Sequence, residues 1–532
     1  MNTDSFRQTY ALDGAGIDRL SEEIDSRLET IRLERENRLR IRLSMEEALL
    51  RMRDHFGDEK QVTLTIAERW ARPYVQIELE GEIFNPLSKT AVELADWSGT
   101  LLTAVGLAPQ YSYSNGTNTL RLILPRQGMN PVMKMFFALV AGVFFGALLT
   151  TALPETARGI LNMVVFEPCY EVWYRILMVS AGPVIFLMTI TTTINTGKIT
   201  EQGGDSRRML ARYILVSVLL STLALAISPP LFRLDWQLDE MGPGLIRSFL
   251  ETCFSIVPED VFSPVISANT PQILLVALVL GNLLFVAGAR ADRLSQICRQ
   301  ANTVGLLLAD GISRLVPYMV FLFTMLEIVR GNTVLLWGLW KPVLIALVLS
   351  LVITAVDVVY TGMRIHVRPA QLWANVRPVF LKTLRKGSLD ASFALSEKVC
   401  VQKLGIEKHF VTVGLPHGLV LFMPISALGT LVFTMYTASV YHLEVSPAWY
   451  LMVLVLATLL FVATPPVPGA NLLAYAALFV QFGFPSIALI DAMIFDIIFG
   501  IFAAAANQLL LEMDLTLQAS RIGLLDGRMQ KK

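Results

Sequence analysis

Two aspartates, Asp491 and Asp496, lie near the carboxyl end in an apolar stretch long enough to cross a bilayer as a helix. An acid at membrane depth is costly, so such a residue usually binds an ion, a solute or another polar group. Asp496 is a candidate functional residue, and a hydrogen bond inside the helix bundle is the alternative. Asp491 is a second candidate, with a position at the membrane interface as its alternative.

A second group of candidate residues lies where an apolar run is interrupted. The run 447–482 is broken at Pro465-Pro466-Val467-Pro468-Gly469, and Asn471 follows the break. Broken helices at membrane depth are tolerated where they line a cavity, and in transporters they mark binding sites. We therefore predict that Val467, Pro468, Gly469 and Asn471 belong to a solute site, where backbone amides of the break bind one carboxylate.

Two serines accompany other interruptions. Pro424 lacks an N–H and interrupts the apolar run 408–441 just before Ser426, which predicts either a helix break on the solute side or an ordinary proline-kinked span. Ser392 lies in the mixed segment 370–405, which is either a re-entrant hairpin or an interfacial helix. Asn507, in an alanine-rich stretch, is predicted to make an interhelical hydrogen bond rather than to bind an ion.

The remaining charged residues of this region are assigned structural roles. Glu171 and Arg175, and Asp310 and Arg314, are spaced i,i+4 and are predicted to neutralise each other on a helix face. His417 beside a glycine is predicted to be a packed residue rather than a proton carrier.

The composition divides the chain into a highly charged amino-terminal segment and a long apolar segment. Of residues 1–128, 36 are charged, whereas of residues 129–532 only 52 are. The whole chain is 54% hydrophobic, so residues 129–515 are predicted to be a membrane domain, preceded by a water-exposed head and followed by a cytoplasmic tail over 516–532. The zero net charge argues against a nucleic-acid partner, and four scattered cysteines exclude a disulfide scaffold.

Hydropathy predicts six uninterrupted spans followed by interrupted ones. The uninterrupted spans are near 131–153, 163–195, 208–232, 270–289, 300–329 and 334–359. Lys and Arg are concentrated in the loops after the second, fourth and sixth spans, and such loops face the cytoplasm. We therefore predict a multi-pass protein of the inner membrane with a cytoplasmic amino terminus.

The order of spans and several short motifs resemble the dicarboxylate/amino acid:cation symporters. Similar segments are Ile256-Val257-Pro258-Glu259-Asp260-Val261-Phe262, Gly414-Leu415-Pro416-His417-Gly418 and Val467-Pro468-Gly469-Ala470-Asn471. The resemblance implies an all-α fold of eight helices and two re-entrant hairpins, a homotrimer, and symport of a small organic solute with sodium or a proton. It implies a solute site at Ser392, Ser426, the Val467–Asn471 tip, Asp491 and Asp496.

Two features of that family are replaced in this chain. The sodium-binding motif of its seventh helix corresponds here to Phe422-Met423-Pro424-Ile425-Ser426, which has no carboxylate. The arginine that the family places against a substrate carboxylate is missing, and Ile497, Ile498 and Phe499 form a predicted apolar wall beside Asp496. We therefore expect a solute with a single carboxylate rather than a dicarboxylate held by an arginine.

The head is predicted to be a small α+β sandwich. A helix over 17–56, strands at 62–66 and 74–79, a helix over 87–105 and a strand over 118–125 follow from the hydrophobic pattern. The segments 45–51, 80–86 and 116–120 resemble the histidine-kinase-type ATPase fold of anti-sigma factors. Arg51, Leu79 and Ile83 replace its magnesium-binding, adenine-binding and glycine positions. We therefore expect that the head does not hydrolyse ATP and binds it weakly if at all, and that the protein is not an enzyme.

These observations predict a secondary active transporter that needs no bound cofactor, whose head binds a cytoplasmic protein partner and regulates transport. The alternative is a transport-inactive membrane sensor that binds a solute and signals through the head.

Overall fold

The computed structural model describes residues 6–30, 35–69, 72–86, 110–123, 131–201, 204–234, 247, 250–251, 254–261, 263–331, 338–387, 389, 392–443, 445–463 and 471–525. The chain divides into two compact units, Met1–Met129 and Asn130–Lys532. The first unit contains β-strands and helices, and the second is helical in its described residues.

The amino-terminal unit is an antiparallel sheet with two helices. The strands are β1 (Phe6–Ala11), β2 (Gln61–Arg69), β3 (Arg72–Glu80), β4 (Gln110–Ser114) and β5 (Thr117–Ile123), in the order β1-β2-β3-β5-β4. The helices are α1 (Gly14–Thr30) and α2 (Arg35–Phe56), where the sequence predicts one continuous helix. The three predicted strands are confirmed, β1 and β4 were not predicted, and the predicted helix over 87–105 lies outside the described residues.

The core of this unit follows from two periodicities. Helix α1 contributes every third or fourth residue, and β2 and β3 contribute every second residue. The buried residues are Ile17, Leu20, Ile24 and Leu28 of α1, Val62, Leu64 and Ile66 of β2, and Val75, Ile77 and Leu79 of β3. The register aligns these apolar positions, because Ile77 lies opposite Leu64 on one side and opposite Leu120 on the other.

The second unit is built from long apolar helices. They are α3 (Pro131–Ala152), α4 (Glu155–Leu161), α5 (Glu167–Glu201), α6 (Gly204–Leu231), α7 (Ser263–Ile266), α8 (Thr270–Ala287), α9 (Asp292–Val329), α10 (Trp340–Ile365), α11 (Pro369–Lys386), α12 (Phe393–Gln402), α13 (Lys408–Leu421), α14 (Pro424–Val440), α15 (Pro447–Ala463), α16 (Asn471–Gln481) and α17 (Ala488–Arg521). In the described residues, seven helical stretches are long and apolar enough to span a membrane. The protein is therefore a multi-pass membrane protein.

The helices of the membrane unit differ in how much of their surface is buried, and this distinguishes central helices from peripheral ones. In the most apolar window of Lys408–Val440, 89% of residues are buried, against 17% for Met133–Ala152. A helix that is apolar on all sides and buried lies inside a bundle, whereas an exposed apolar helix faces lipid. Helices α13, α14 and α17 therefore form the centre of the membrane unit, and α3 lies at its rim.

One interruption falls where the sequence places it, and the other lies outside the described residues. Helix α13 ends at Leu421 and α14 begins at Pro424, so the run 408–441 is broken at Phe422 and Met423. Helices α15 and α16 flank residues 464–470, which lie outside the described residues. Helix α17 continues to Arg521 and thus reaches into the range 516–532 that the sequence assigns to a tail.

Candidate functional site

Asp496 and Asn471, which the sequence selects separately, form a hydrogen-bonded pair. Asp496 lies in the third turn of α17, and Asn471 is the first residue of α16. The Asn471 side-chain amide Nδ2 donates to Asp496 Oδ1 at 2.8 Å, and both side chains are half-buried. The pair joins a membrane-depth carboxylate to the helix that follows the Pro465–Gly469 break.

Gly500 leaves the space that the Asp496 carboxylate occupies. A Cβ atom added at Gly500 would lie 2.8 Å from Asp496 Oδ1, the oxygen that accepts from Asn471. A real Cβ atom does not approach an oxygen this closely without displacing it, so the glycine keeps this side of α17 open. The sequence reasoning missed this residue, although a glycine four residues after an intramembrane acid was a signal for it.

The break between α13 and α14 forms a second polar centre. The backbone N–H of Ile425 donates to Asn507 Oδ1 at 2.8 Å, and Asn507 Nδ2 donates to Ser426 Oγ at 2.9 Å. Ser426 and Asn507 are both buried. The predicted interhelical role of Asn507 is confirmed, and its partner is a backbone group at the helix break.

The two polar centres share one face of α17. Asp496 and Asn507 are eleven residues apart, about three helical turns and about 16 Å along the axis. Phe499 lies between these levels and stacks with Phe495 at 5.3 Å, and Phe495 stacks with Phe433 at 4.7 Å. The centres are therefore separated by an apolar layer.

The predicted apolar wall beside Asp496 is only partly formed. Ile497 and Phe499 are buried, but Ile498 is 43% exposed and lies on the outer side of α17. This part of the prediction was wrong because successive helical residues point in directions about 100° apart, so three consecutive residues cannot all face one site. Asp496 has no arginine or lysine partner among the described residues.

Asp491 lies in a different environment from Asp496. Five residues separate the two on α17, which places them on different sides of the helix. Asp491 is 6% exposed and lies near Glu327 of α9 and Tyr436 of α14. The structure therefore does not bring Asp491 to the Asp496–Asn471 pair.

Ser392 is buried and engaged locally. Its hydroxyl donates to the carbonyl of Leu389 at 2.9 Å and accepts from Thr383 Oγ1 at 2.7 Å. These contacts fix the turn between α11 and α12 and leave Ser392 within that turn. The candidates Val467, Pro468 and Gly469 lie outside the described residues.

The predicted structural pairs are confirmed. Arg175 and Glu171 form an ion pair of 3.2 Å, and Arg314 and Asp310 one of 2.5 Å. His417 Nδ1 lies 2.6 Å from the carbonyl of Val413 on its own helix, as expected of a packed histidine. These residues therefore need no functional assignment.

Two of the three positions that replace ATPase residues in the head make structural contacts, and the third, Ile83, is exposed. Leu79 lies in the hydrophobic core, and Arg51 Nη1 donates to the carbonyl of Pro86 at 3.4 Å. The loop 81–86 is fixed by Asn118, whose Oδ1 accepts from Phe84 N at 2.9 Å and from the Tyr111 hydroxyl at 2.7 Å. Burial raises the pKa of Tyr111, which keeps its phenol protonated as the donor of this bond.

Comparison with known proteins identifies similarity in the membrane unit. The family model described as the sodium:dicarboxylate symporter family matches residues 132–509. A C4-dicarboxylate transport protein of Xylella fastidiosa (strain 9a5c) is 22% identical over 371 residues, which cover 66% of this chain and 80% of the relative. Proteins of the same name from strains M12 and M23 are 21% and 22% identical over 179 residues, covering 31% of this chain and 38% of each relative.

Proposed function

The chain belongs to the sodium:dicarboxylate symporter family, and on that basis we propose that it is a secondary active transporter moving a small organic solute with a coupling cation. The observation that carries the proposal is the hydrogen bond between Asp496 and Asn471 in the membrane unit. This bond joins a carboxylate and an amide at membrane depth, next in sequence to the break predicted at Pro465–Gly469, and interrupted spans are where transporters bind solutes.

The proposed site offers an acceptor for an amine or hydroxyl of the solute and donors for its carboxylate. Asp496 can accept a hydrogen bond from an amine or hydroxyl of the solute, because within the described residues only its Oδ1 is engaged, by Asn471. We propose that backbone amides of the Val467–Asn471 tip bind a carboxylate of the solute.

One candidate solute class has a single carboxylate together with an amine or hydroxyl. It is favoured by the described surroundings of Asp496, which contain no guanidinium. A second carboxylate bound next to Asp496 without a cation would be desolvated and repelled, which costs several kcal/mol. Neutral amino acids and hydroxy acids belong to this class.

The other candidate class is the C4-dicarboxylates. It is favoured by the names of the relatives from Xylella fastidiosa. In this case a second binding group for the distal carboxylate must come from outside the contacts described for Asp496. The coupling cation is then the nearest source of positive charge.

Uptake into proteoliposomes containing the full-length protein tests the proposal. Radiolabelled succinate and a neutral amino acid would each be offered with an imposed sodium or proton gradient. We expect uptake of one of them to depend on the gradient and to fall at least tenfold in Asp496→Asn. The control Asp310→Asn, in the exposed ion pair of α9, should keep wild-type uptake. Gradient-independent, mutation-insensitive accumulation would contradict the transport proposal.

The same preparation tests the alternative of a sensor. A solute that binds in a thermal-shift assay, loses binding in Asp496→Asn and shows no uptake under any gradient would favour a transport-inactive sensor. Uptake would exclude it.

We further propose an architecture around this site. The pairs α11 with α12 and α15 with α16 are the arms of two re-entrant hairpins, and the protein is a homotrimer of the inner membrane. The head, on the cytoplasmic side, regulates transport through a protein partner. Light scattering of the detergent-solubilised protein tests the trimer, and labelling of single cysteines placed in α12 and α16 from each side of the membrane tests the hairpins.

A further inference from the structure

The carboxyl-terminal half of α17 carries a second polar cluster, remote from Asp496. The cluster consists of Gln508 and Glu512 of α17 and Ser396 of α12. Ser396 Oγ donates to Glu512 Oε1 at 2.5 Å, and Gln508 Nε2 donates to Ser396 Oγ at 2.7 Å. Sixteen residues separate Glu512 from Asp496, so the cluster lies about 24 Å along the helix from the candidate solute site.

All three side chains are withdrawn from solvent. Glu512 is 1% exposed, and Gln508 and Ser396 are fully buried. Because Gln508 and Glu512 are spaced i,i+4, they lie on the same face of α17, and Gln508 Nε2 approaches Glu512 Oε1 to 3.5 Å. The cluster is therefore a compact polar group enclosed by the bundle.

Two oxygen atoms of this cluster have no hydrogen-bond donor. Within the described residues, Glu512 Oε2 and Gln508 Oε1 are buried and make no hydrogen bond. The other atoms of both groups are engaged, since Ser396 bonds to Glu512 Oε1 and accepts from Gln508 Nε2. An unsatisfied buried acceptor is expensive, and two in one small cluster indicate that the cluster has a further binding partner.

The charge of Glu512 is also uncompensated. Arg212 of α6 pairs with Asp514 rather than with Glu512, and Asp514 also accepts from Gln518. No lysine, arginine or histidine of the described residues forms an ion pair with Glu512. A carboxylate enclosed in a membrane bundle without a positive partner is strongly disfavoured, so the missing species carries a positive charge.

We propose that Glu512, Gln508 and Ser396 form a binding site for one monovalent metal cation, with Glu512 Oε2 and Gln508 Oε1 as ligands. The donor set is one carboxylate with neutral oxygens, and a single positive charge neutralises it. Calcium takes six to eight oxygen ligands, including several carboxylates, which this cluster does not supply. No group of three His, Cys, Asp or Glu side chains suited to a transition metal occurs in the described residues.

Binding here would join the carboxyl-terminal half of α17 to α12. The cation adds a shared ligand to two helices that otherwise meet through the Ser396 hydroxyl. Occupancy of the site therefore stabilises this contact whether or not a solute is bound at Asp496, and the site does not depend on the proposed transport function.

Thermal unfolding of the purified full-length protein tests the site. The midpoint would be measured in sodium chloride, potassium chloride and choline chloride of equal ionic strength. Because a ligand that binds only the folded state stabilises it by mass action, we expect a saturable rise of the midpoint in sodium or potassium relative to choline. Glu512→Gln, which keeps the shape of the side chain, should abolish the rise or shift its midpoint concentration at least tenfold.

Three further variants make the result specific. Ser396→Ala removes the hydroxyl that orders both side chains and should weaken the response to the cation. Asp496→Asn should keep the full response, because it lies in the other centre; a loss there would assign the cation to the solute site instead. Glu171→Gln, in an exposed ion pair of α5, is the matched carboxylate control and should behave as the wild type.

A proton on Glu512 is the competing hypothesis, and the same measurements distinguish the two. If the cluster holds a proton only, sodium and potassium will not raise the midpoint of the wild type beyond choline. Glu512→Gln will then be as stable as the wild type at low pH and more stable at high pH. That outcome, or an equal cation response in wild type and Glu512→Gln, would overturn the proposal.

Discussion

At the scale of single residues, the membrane unit depends on side chains that satisfy the backbone where helices are broken. Asn507 accepts a hydrogen bond from the N–H of Ile425, in the first turn of α14. The first N–H groups of a helix have no partner inside the helix, and water is scarce at membrane depth. A side-chain amide from α17 therefore takes the place that water or a capping residue has in soluble proteins.

Replacement of Asn507 by alanine should destabilise the protein more than replacement of its neighbour. Asn507→Ala leaves the buried Ile425 N–H without its acceptor, at a cost of about 1–3 kcal/mol. Ser426→Ala removes only a hydroxyl that accepts from Asn507 Nδ2 and should cost less. The midpoints of thermal unfolding of the two variants in detergent measure the difference. Equal midpoints would mean that the Ile425 bond contributes nothing.

Gly500 offers a test of the Asp496–Asn471 pair that leaves both residues in place. The methyl group in Gly500→Ala would lie 2.8 Å from Asp496 Oδ1, so the carboxylate must turn away from Asn471. Solute affinity should fall, which would appear as a raised KM for uptake or a raised Kd. The loss of folding stability should be small, because the higher helix propensity of alanine offsets up to about 1 kcal/mol of the strain from this close contact.

The matched control for this variant is Gly311→Ala on α9. Gly311 is also helical, but an added Cβ would meet nothing within 4 Å. It should keep wild-type affinity and should be slightly more stable. An unchanged KM in Gly500→Ala would show that the Asp496–Asn471 bond is not part of solute binding.

At the scale of elements, α17 organises the membrane unit, because one helix supplies all three polar centres. Its 34 residues carry Asp496, Asn507 and the Gln508–Glu512 pair in turn. The partners come from three other elements: α16 at Asn471, α14 at Ser426 and α12 at Ser396. Outside these centres, Asp514 of α17 pairs with Arg212 of α6. Any displacement of α17 along its axis would therefore act on every centre at once.

The ion pair of Arg212 and Asp514 should be the strongest polar contact between α6 and α17. The Arg212 side chain is 19% exposed and that of Asp514 6%, so removal of one partner leaves an enclosed charge. We expect Arg212→Met to destabilise the protein by about 3–5 kcal/mol, and the double variant with Asp514→Leu to recover most of this loss.

A double-mutant cycle by thermal or denaturant unfolding measures the coupling of this pair. The control is Arg314→Met in the exposed pair with Asp310, whose side chains are 55% and 46% exposed, and it should cost less than about 1 kcal/mol. A loss in Arg212→Met no larger than in the control would show that the buried pair is fully solvated in the native protein.

The sequence predicts elements better than contacts. Hydropathy located the long membrane helices, because a run of about twenty apolar residues rarely forms anything but a membrane span. It missed β1 and β4, whose sequences FRQTYA and QYSYS show no run of alternating apolar residues, as edge strands often do not. The head therefore has two more strands than the hydrophobic pattern indicates.

For the candidate site, too, the sequence predicted residues better than the contacts between them. Asp496 and Asn471 were identified because an acid and a helix break are rare at membrane depth, but their contact follows from packing between α16 and α17. Ser392 and Asp491 met the same sequence criteria and lie elsewhere. Gln508 and Glu512 were overlooked because they stand at the end of the predicted apolar run, where polar residues are expected at an interface.

At the scale of the whole molecule, family membership and local chemistry point in different directions. The family model covers residues 132–509, and seven helical stretches of the described residues are long and apolar enough to span a membrane. Yet Asp496 has no described arginine beside it, and the helix break carries Asn507 and Ser426 instead of a carboxylate. A shared fold positions the site, but the solute depends on the side chains that fill it.

The orientation of the protein in the membrane is the final prediction. Lys198, Arg207 and Arg208 follow the second predicted span, and Arg290 and Arg293 follow the fourth, whereas the intervening loops are poorer in basic residues. Because Lys and Arg in short loops remain in the cytoplasm, these loops and the amino-terminal head should face inward. Reporter fusions after Arg126, Gly203 and Arg293 should give a cytoplasmic signal, and a fusion after Gly331 should give a periplasmic one. A periplasmic signal at any of the first three positions would reverse the topology and place the head outside, where no cytoplasmic partner could reach it.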